Sequence, residues 1–93
     1  MELKVPYVQI TDKKQGFDAA KKLIPDVIEK FGVKATVVND DAAHVINAKG
    51  TGFSAKIEFR EKEAVFTLDL GMLLKPFKGK IAETIEKQIK KVV

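Results

Sequence analysis

A chain of 93 residues, with 45% hydrophobic and 32% charged residues, has the size and balance of one soluble globular domain. Its net charge is +4, from 17 Lys+Arg against 13 Asp+Glu, and Arg60 is the single arginine, which argues against nucleic-acid readout by bidentate contacts. No cysteine is present, so disulfides, thiolate nucleophiles and Cys-based metal sites are excluded.

No apolar run approaches the ~18–20 residues that cross a bilayer. The start, Met1 to Pro6, lacks the apolar centre of a signal peptide, so the sequence predicts a cytoplasmic protein without a transmembrane segment. Residues Lys4 to Ile10 alternate and predict a first strand; Pro6 has no N–H, so the strand lies at an edge or begins after Pro6. Asp12 can cap a helix. Helical spacing from Gly16 to Phe31 puts Phe17, Ala20, Ile24, Val27 or Ile28, and Phe31 on one face, with Gly32 as the left-handed cap. Pro25 falls inside this pattern and predicts a kink or a break.

From Val33 the period becomes two. A strand over Val33–Val37 leads to a turn at Asn39-Asp40-Asp41, and a second strand follows over Ala42–Lys49. Gly50-Thr51-Gly52 is a tight hairpin turn. Phe53, Ala55, Ile57 and Phe59 alternate with Ser54, Lys56, Glu58 and Arg60, one face apolar and one wet. Glu61-Lys62-Glu63 turns into a last strand carrying Ala64, Phe66, Leu68 and Leu70 on one face. A two-residue loop at Thr51-Gly52 sets Ile46 opposite Ile57 and Ala48 opposite Ala55. A four-residue loop over Arg60–Glu63 sets Ile57 opposite Phe66 and Ala55 opposite Leu68. After Gly71, the residues Leu74, Phe77, Ile81, Ile85, Ile89 and Val92 recur at steps of three and four. They form the apolar stripe of a long C-terminal helix, with Pro76 placed for its first turn. Glu83 with Lys87 and Glu86 with Lys90 are stabilising i, i+4 pairs.

The reading is a single α+β domain over residues 1–93, ordered β-α-β-β-β-β-α. An antiparallel sheet of four to five strands has one face covered by the C-terminal amphipathic helix, in the manner of a helix grip. His44 and Ser54 are the single histidine and serine, and the strand pattern places them on opposite faces, which disfavours a hydrolytic triad. Asn39-Asp40-Asp41 lacks the spacing of a calcium loop and reads as a charged turn. No catalytic residue, metal site or cofactor is assigned.

Gly16-Phe17-Asp18-Ala19-Ala20, Phe53-Ser54-Ala55-Lys56-Ile57-Glu58-Phe59, Leu68-Asp69-Leu70-Gly71-Met72-Leu73-Leu74, Lys78-Gly79-Lys80-Ile81 and Ile85-Glu86 occur in this order. Together they resemble the polyhydroxyalkanoic acid system family, short bacterial proteins linked to polyhydroxyalkanoate granules. The resemblance covers nearly the whole chain, and the segment from Leu70 to Leu74 is its most specific part. It implies a small α+β protein associated with storage granules and brings no catalytic residues. Pro25 departs from the continuous first helix expected of the family.

Two functions follow as expectations. One is a non-enzymatic accessory protein that meets a granule surface or a granule protein through Met72, Leu73, Lys75 and Lys78. The other is a small apolar-ligand module with a cavity between sheet and C-terminal helix, lined by Phe53, Phe59, Phe66 and Phe77. A core of this size needs the same phenylalanines for its own packing, which argues against a large cavity. A homodimer is a further expectation, from Val38, Val45 and Val65 on the wet face of the sheet.

Overall fold

The computed structural model describes residues 2–93. The elements in chain order are β1 (Glu2–Pro6), α1 (Lys13–Phe31), β2 (Ala35–Asp40), β3 (Val45–Gly50), β4 (Phe53–Phe59), β5 (Glu63–Leu70), a 3-10 turn (Lys75–Phe77) and α2 (Lys78–Val92). The strands make one antiparallel sheet in the order β1-β5-β4-β3-β2. This is the α+β architecture that the alternation predicts, and all four predicted cross-strand pairs occur. Hairpin loop length fixes register, and a slip of one residue in a strand would turn its apolar side chains to water.

Both helices pack on the same face of the sheet. Phe17, Ala20, Ile24 and Val27 from α1 join Ile85 and Ile89 from α2, over Val5, Ile46, Ile57, Phe59, Phe66 and Leu68. The lid predicted for α2 alone is therefore shared. The sheet is too wide for one helical stripe, and α1 covers the remainder.

Several boundaries differ from the sequence reading, each for a local reason. β1 ends at Pro6, and Val8, Gln9 and Ile10 turn their N–H groups to the Val93 carbonyl at 2.6, 2.7 and 3.3 Å. Of the two alternatives predicted at Pro6, the edge occurs: β1 is paired to β5 alone. α1 starts at Lys13, three residues earlier than predicted. The Asp12 carboxylate accepts the Gln15 backbone N–H at 3.0 Å, and the Gln15 side-chain Oε1 accepts the Thr11 N–H at 2.9 Å, so the two residues cap the first turn reciprocally.

Of the kink or break predicted at Pro25, the break does not occur: α1 is one continuous helix of 19 residues. Pro25 is on the exposed side, so water can reach the Lys21 carbonyl that the proline leaves without its helical partner. β2 runs on through Asn39 to Asp40, and the turn moves to Asp41–His44. Asp40 accepts the N–H groups of Ala42 and Ala43 at 3.1 and 3.0 Å, and His44 takes a left-handed φ of 56°. α2 is preceded by the 3-10 turn with Pro76 inside it. Its two predicted pairs form, Glu83 to Lys87 at 3.2 Å and Glu86 to Lys90 at 3.0 Å.

The valine patch on the outer face does not assemble. Val65 is 3% exposed and lies between Glu58 and Lys4, while Val45 lies between Asp40 and Glu58. Val38 is exposed opposite Asn47. Charged neighbours interrupt the row, so the three valines do not form one patch.

Candidate apolar binding site

The helices run antiparallel, and the space between them is filled at one end and open at the other. At the filled end, α1 begins and α2 finishes. The Phe17 ring stands edge-on to His44 at 5.3 Å and to Phe59 at 6.3 Å, and the Lys21 ammonium sits 4.8 Å above it. Gly16 is required here. A Cβ at this position would lie 2.8 Å from Phe59 and 2.9 Å from Ile10, so only glycine lets the helix come this close to the sheet.

At the other end, where α1 finishes and α2 begins, an open apolar cavity of about 330 Å³ lies between helices and sheet. One wall is Ile24, Val27, Ile28 and Phe31 of α1. The opposite wall is Leu74, Phe77, Ile81 and Ile85, leading from the β5–α2 connection into α2. The floor is the helix-facing side of the central strands. There Ala48 pairs with Ala55, between a row of Ile46, Ile57 and Phe66 and a row of Phe53 and Leu70. The space has a simple origin: two alanines face each other where larger side chains flank them, and neither helix reaches down to fill the gap. Of the predicted lid, Ile85 and Ile89 are buried, while Ile81 is half-buried over the opening. Phenylalanines alone therefore do not fill the core, because the alanine pair is the smaller half of the floor.

The predicted site residues divide into two groups that adjoin. Of the four phenylalanines expected to line the cavity, Phe53, Phe66 and Phe77 do: Phe66 is fully buried, Phe53 half-buried, and Phe77 stands at the mouth, 55% exposed. Phe59 does not, because it is buried at the filled end against Phe17. Met72 and Leu73 lie outside it on the β5–α2 connection, 86% and 90% exposed, with Lys75 and Lys78 exposed just after them. Leu74 and Phe77 belong to both groups, since they line the cavity and sit in the exposed segment. Two features were missed from sequence. The α1 wall was visible as a stripe but not assigned to this site. Lys80, the charged member of the lining among the described residues, was one of six lysines on a polar helix face.

The groups that catalysis would need are apart. His44 packs on Phe17 on the helix side, while Ser54 lies opposite Lys49 and Asp69 on the outer side. Among the described residues, no three His, Asp or Glu side chains gather into a metal site. No helix among them is long and apolar enough to cross a membrane.

The family model described as "Putative polyhydroxyalkanoic acid system protein" matches residues 11–93, from the residue before the α1 cap to the end of α2. The chain belongs to this family. The match takes in both helices, β2 to β5 and the whole cavity, and leaves β1 outside. No curated protein and no solved structure matches the chain.

Proposed function

We propose that this member of the polyhydroxyalkanoic acid system family is a non-enzymatic cytoplasmic accessory protein, and that its β5–α2 connection binds the surface of a storage granule. The observation that carries this reading is the exposure of Met72 and Leu73. Two large apolar side chains stand almost fully in water, and Lys75 and Lys78 follow them in the chain. Single apolar residues are ordinary on a protein surface, but two in succession on a connection whose Leu74 and Phe77 line an apolar cavity are the pattern of a contact site. The separation of His44 from Ser54 supports binding over catalysis.

Co-sedimentation with polyhydroxyalkanoate granules tests the proposal. Burying a Met or Leu side chain is worth about 1.5–3 kcal/mol. A Met72→Asp, Leu73→Asp variant should keep the wild-type melting temperature and lose binding by about tenfold or more. Equal pelleting of both proteins would remove the proposal. The cavity itself favours a second reading, a module for a small apolar ligand. Its volume falls at the lower end of the ~300–1,000 Å³ range of ligand sites.

A further inference from the structure

We infer that the cavity takes one unbranched aliphatic chain carrying an anionic head group, with the tail over Ala48 and Ala55 and the head at Lys80. This rests on the second reading above, that the cavity is a ligand site, and it specifies the chemistry of the ligand. Three observations converge on it.

The first is size. A methylene fills roughly the ~30 Å³ of a water molecule, so about 330 Å³ holds on the order of ten carbons. The second is the lining. The walls and floor are aliphatic and aromatic, and no side-chain donor or acceptor lies deep in the site to hold a polar group along a ligand's length. A ligand with polar atoms in its middle would lose their hydration with nothing in return.

The third is charge at the mouth. Lys80 lines it, and Lys75 and Lys78 precede it in the chain, both exposed. Among the described residues these three lysines have no ion-pair partner, because Glu83 and Glu86 are engaged by Lys87 and Lys90. The first turn of α2 carries Lys78 and Lys80 and no acid. Cations there oppose the helix macrodipole, which favours negative charge at a helix start. A bound carboxylate would compensate both the lysines and the helix end, whereas an uncharged head would compensate neither.

The test is a titration of the ¹⁵N-labelled full chain with decanoate and, separately, with decanol, each below the concentration at which it aggregates. Saturable amide shifts at Ala48, Ala55 and Ile81 are expected for decanoate, with affinity about two- to fivefold above decanol, the range that one solvent-facing ion pair supplies. Each methylene is worth about 0.8 kcal/mol, close to fourfold, so butyrate should produce no saturable shift. Lys80→Ala changes an exposed side chain and should fold normally while erasing the preference for decanoate. Ala55→Leu should block both ligands; if that variant fails to fold, the Lys80→Ala comparison still decides. Equal affinity for decanoate and decanol, unchanged by Lys80→Ala, would overturn the head-group assignment and leave the cavity as a ligand site. No shift at the cavity amides with either ligand, or shifts confined to Met72 and Leu73, would overturn both.

Discussion

Replacing Ala55 by leucine should stabilise this protein, against the usual direction of core substitutions. Ala55 lies on the cavity floor, opposite Ala48 on one side and Leu68 on the other. Leucine adds three carbons to a space that already exists, so little has to move. At about 0.8 kcal/mol per buried carbon, the transfer gain is roughly 2.4 kcal/mol. Fixing the leucine rotamer costs about 0.5–1 kcal/mol, which leaves about 1.5 kcal/mol of net stabilisation. For a domain of this length, that corresponds to an increase of about 6–12 °C in melting temperature. The control is Ile57→Ala, which deletes three carbons from a side chain 3% exposed on the same floor and should cost about 2–5 kcal/mol. Thermal and urea unfolding followed by circular dichroism would measure both. If Ala55→Leu melts below the wild type, the space over Ala55 is not free and the cavity argument fails. If it melts higher, the natural sequence has forgone stability that one substitution supplies, as expected where the vacancy is used.

Three smaller predictions concern the filled end. Gly16→Ala should destabilise by about 1–2 kcal/mol despite alanine's better helix propensity, because its Cβ meets Phe59 and Ile10; Phe59→Leu in the same chain should recover part of the loss in urea unfolding. Asp12→Ala removes the acceptor for the Gln15 N–H and should cost about 1 kcal/mol by the same assay; an unchanged midpoint would mean the cap contributes nothing. The Tyr7 hydroxyl donates to the Arg60 carbonyl at 2.6 Å, and burial, with Glu61, Asp12 and Glu63 nearby, pushes its pKa up to about 12 from 10.0. Between those values the folded protein keeps a proton that the unfolded chain has lost, so this contribution is complete below pH 10 and disappears as the pH rises towards 12. Urea midpoints should therefore fall more steeply above pH 10 in the wild type than in Tyr7→Phe, and parallel slopes would contradict the assignment.

The parts of this fold that sequence reveals are those set by chemistry within a few residues. Hairpin register follows from Thr51-Gly52 and the Arg60–Glu63 loop, because one face must stay apolar. The Glu83–Lys87 and Glu86–Lys90 pairs follow from helical spacing. At Pro25 the sequence does not choose between a kink and a break, because proline's cost depends on which way it faces, and that is settled only when α1 finds the sheet. The outer-face valines misled for a related reason: alternation says which residues share a face, but Glu58 separates Val45 from Val65 only once β3, β4 and β5 stand side by side. The cavity is harder still to read. Ala48 and Ala55 were known to pair, and two small residues at the centre of an apolar face are a signal. Whether they leave a space depends on how far α1 and α2 stand apart, a distance fixed by contacts at the opposite end of the molecule.

Those contacts explain why stability and binding need not compete here. Gly16 holds α1 against Phe59, Phe17 locks with His44 and Phe59, and three N–H groups of the β1–α1 connection hold the Val93 carbonyl at the end of α2. Together these fix both helices at one end, and the far ends then stay apart without a plug between them. A small domain usually cannot leave large side chains in water and space in its core, because its margin is only several kcal/mol. This one has both, and they share the β5–α2 connection: the exposed Met72 and Leu73 are followed there by Leu74 and Phe77, which line the cavity. Their adjacency means that an apolar partner arriving at the β5–α2 connection, whether a surface or a single chain, also meets the mouth of the cavity. The granule reading and the ligand reading are therefore two depths of one contact, separable by Met72 and Leu73 on the outside and Ala55 and Lys80 within.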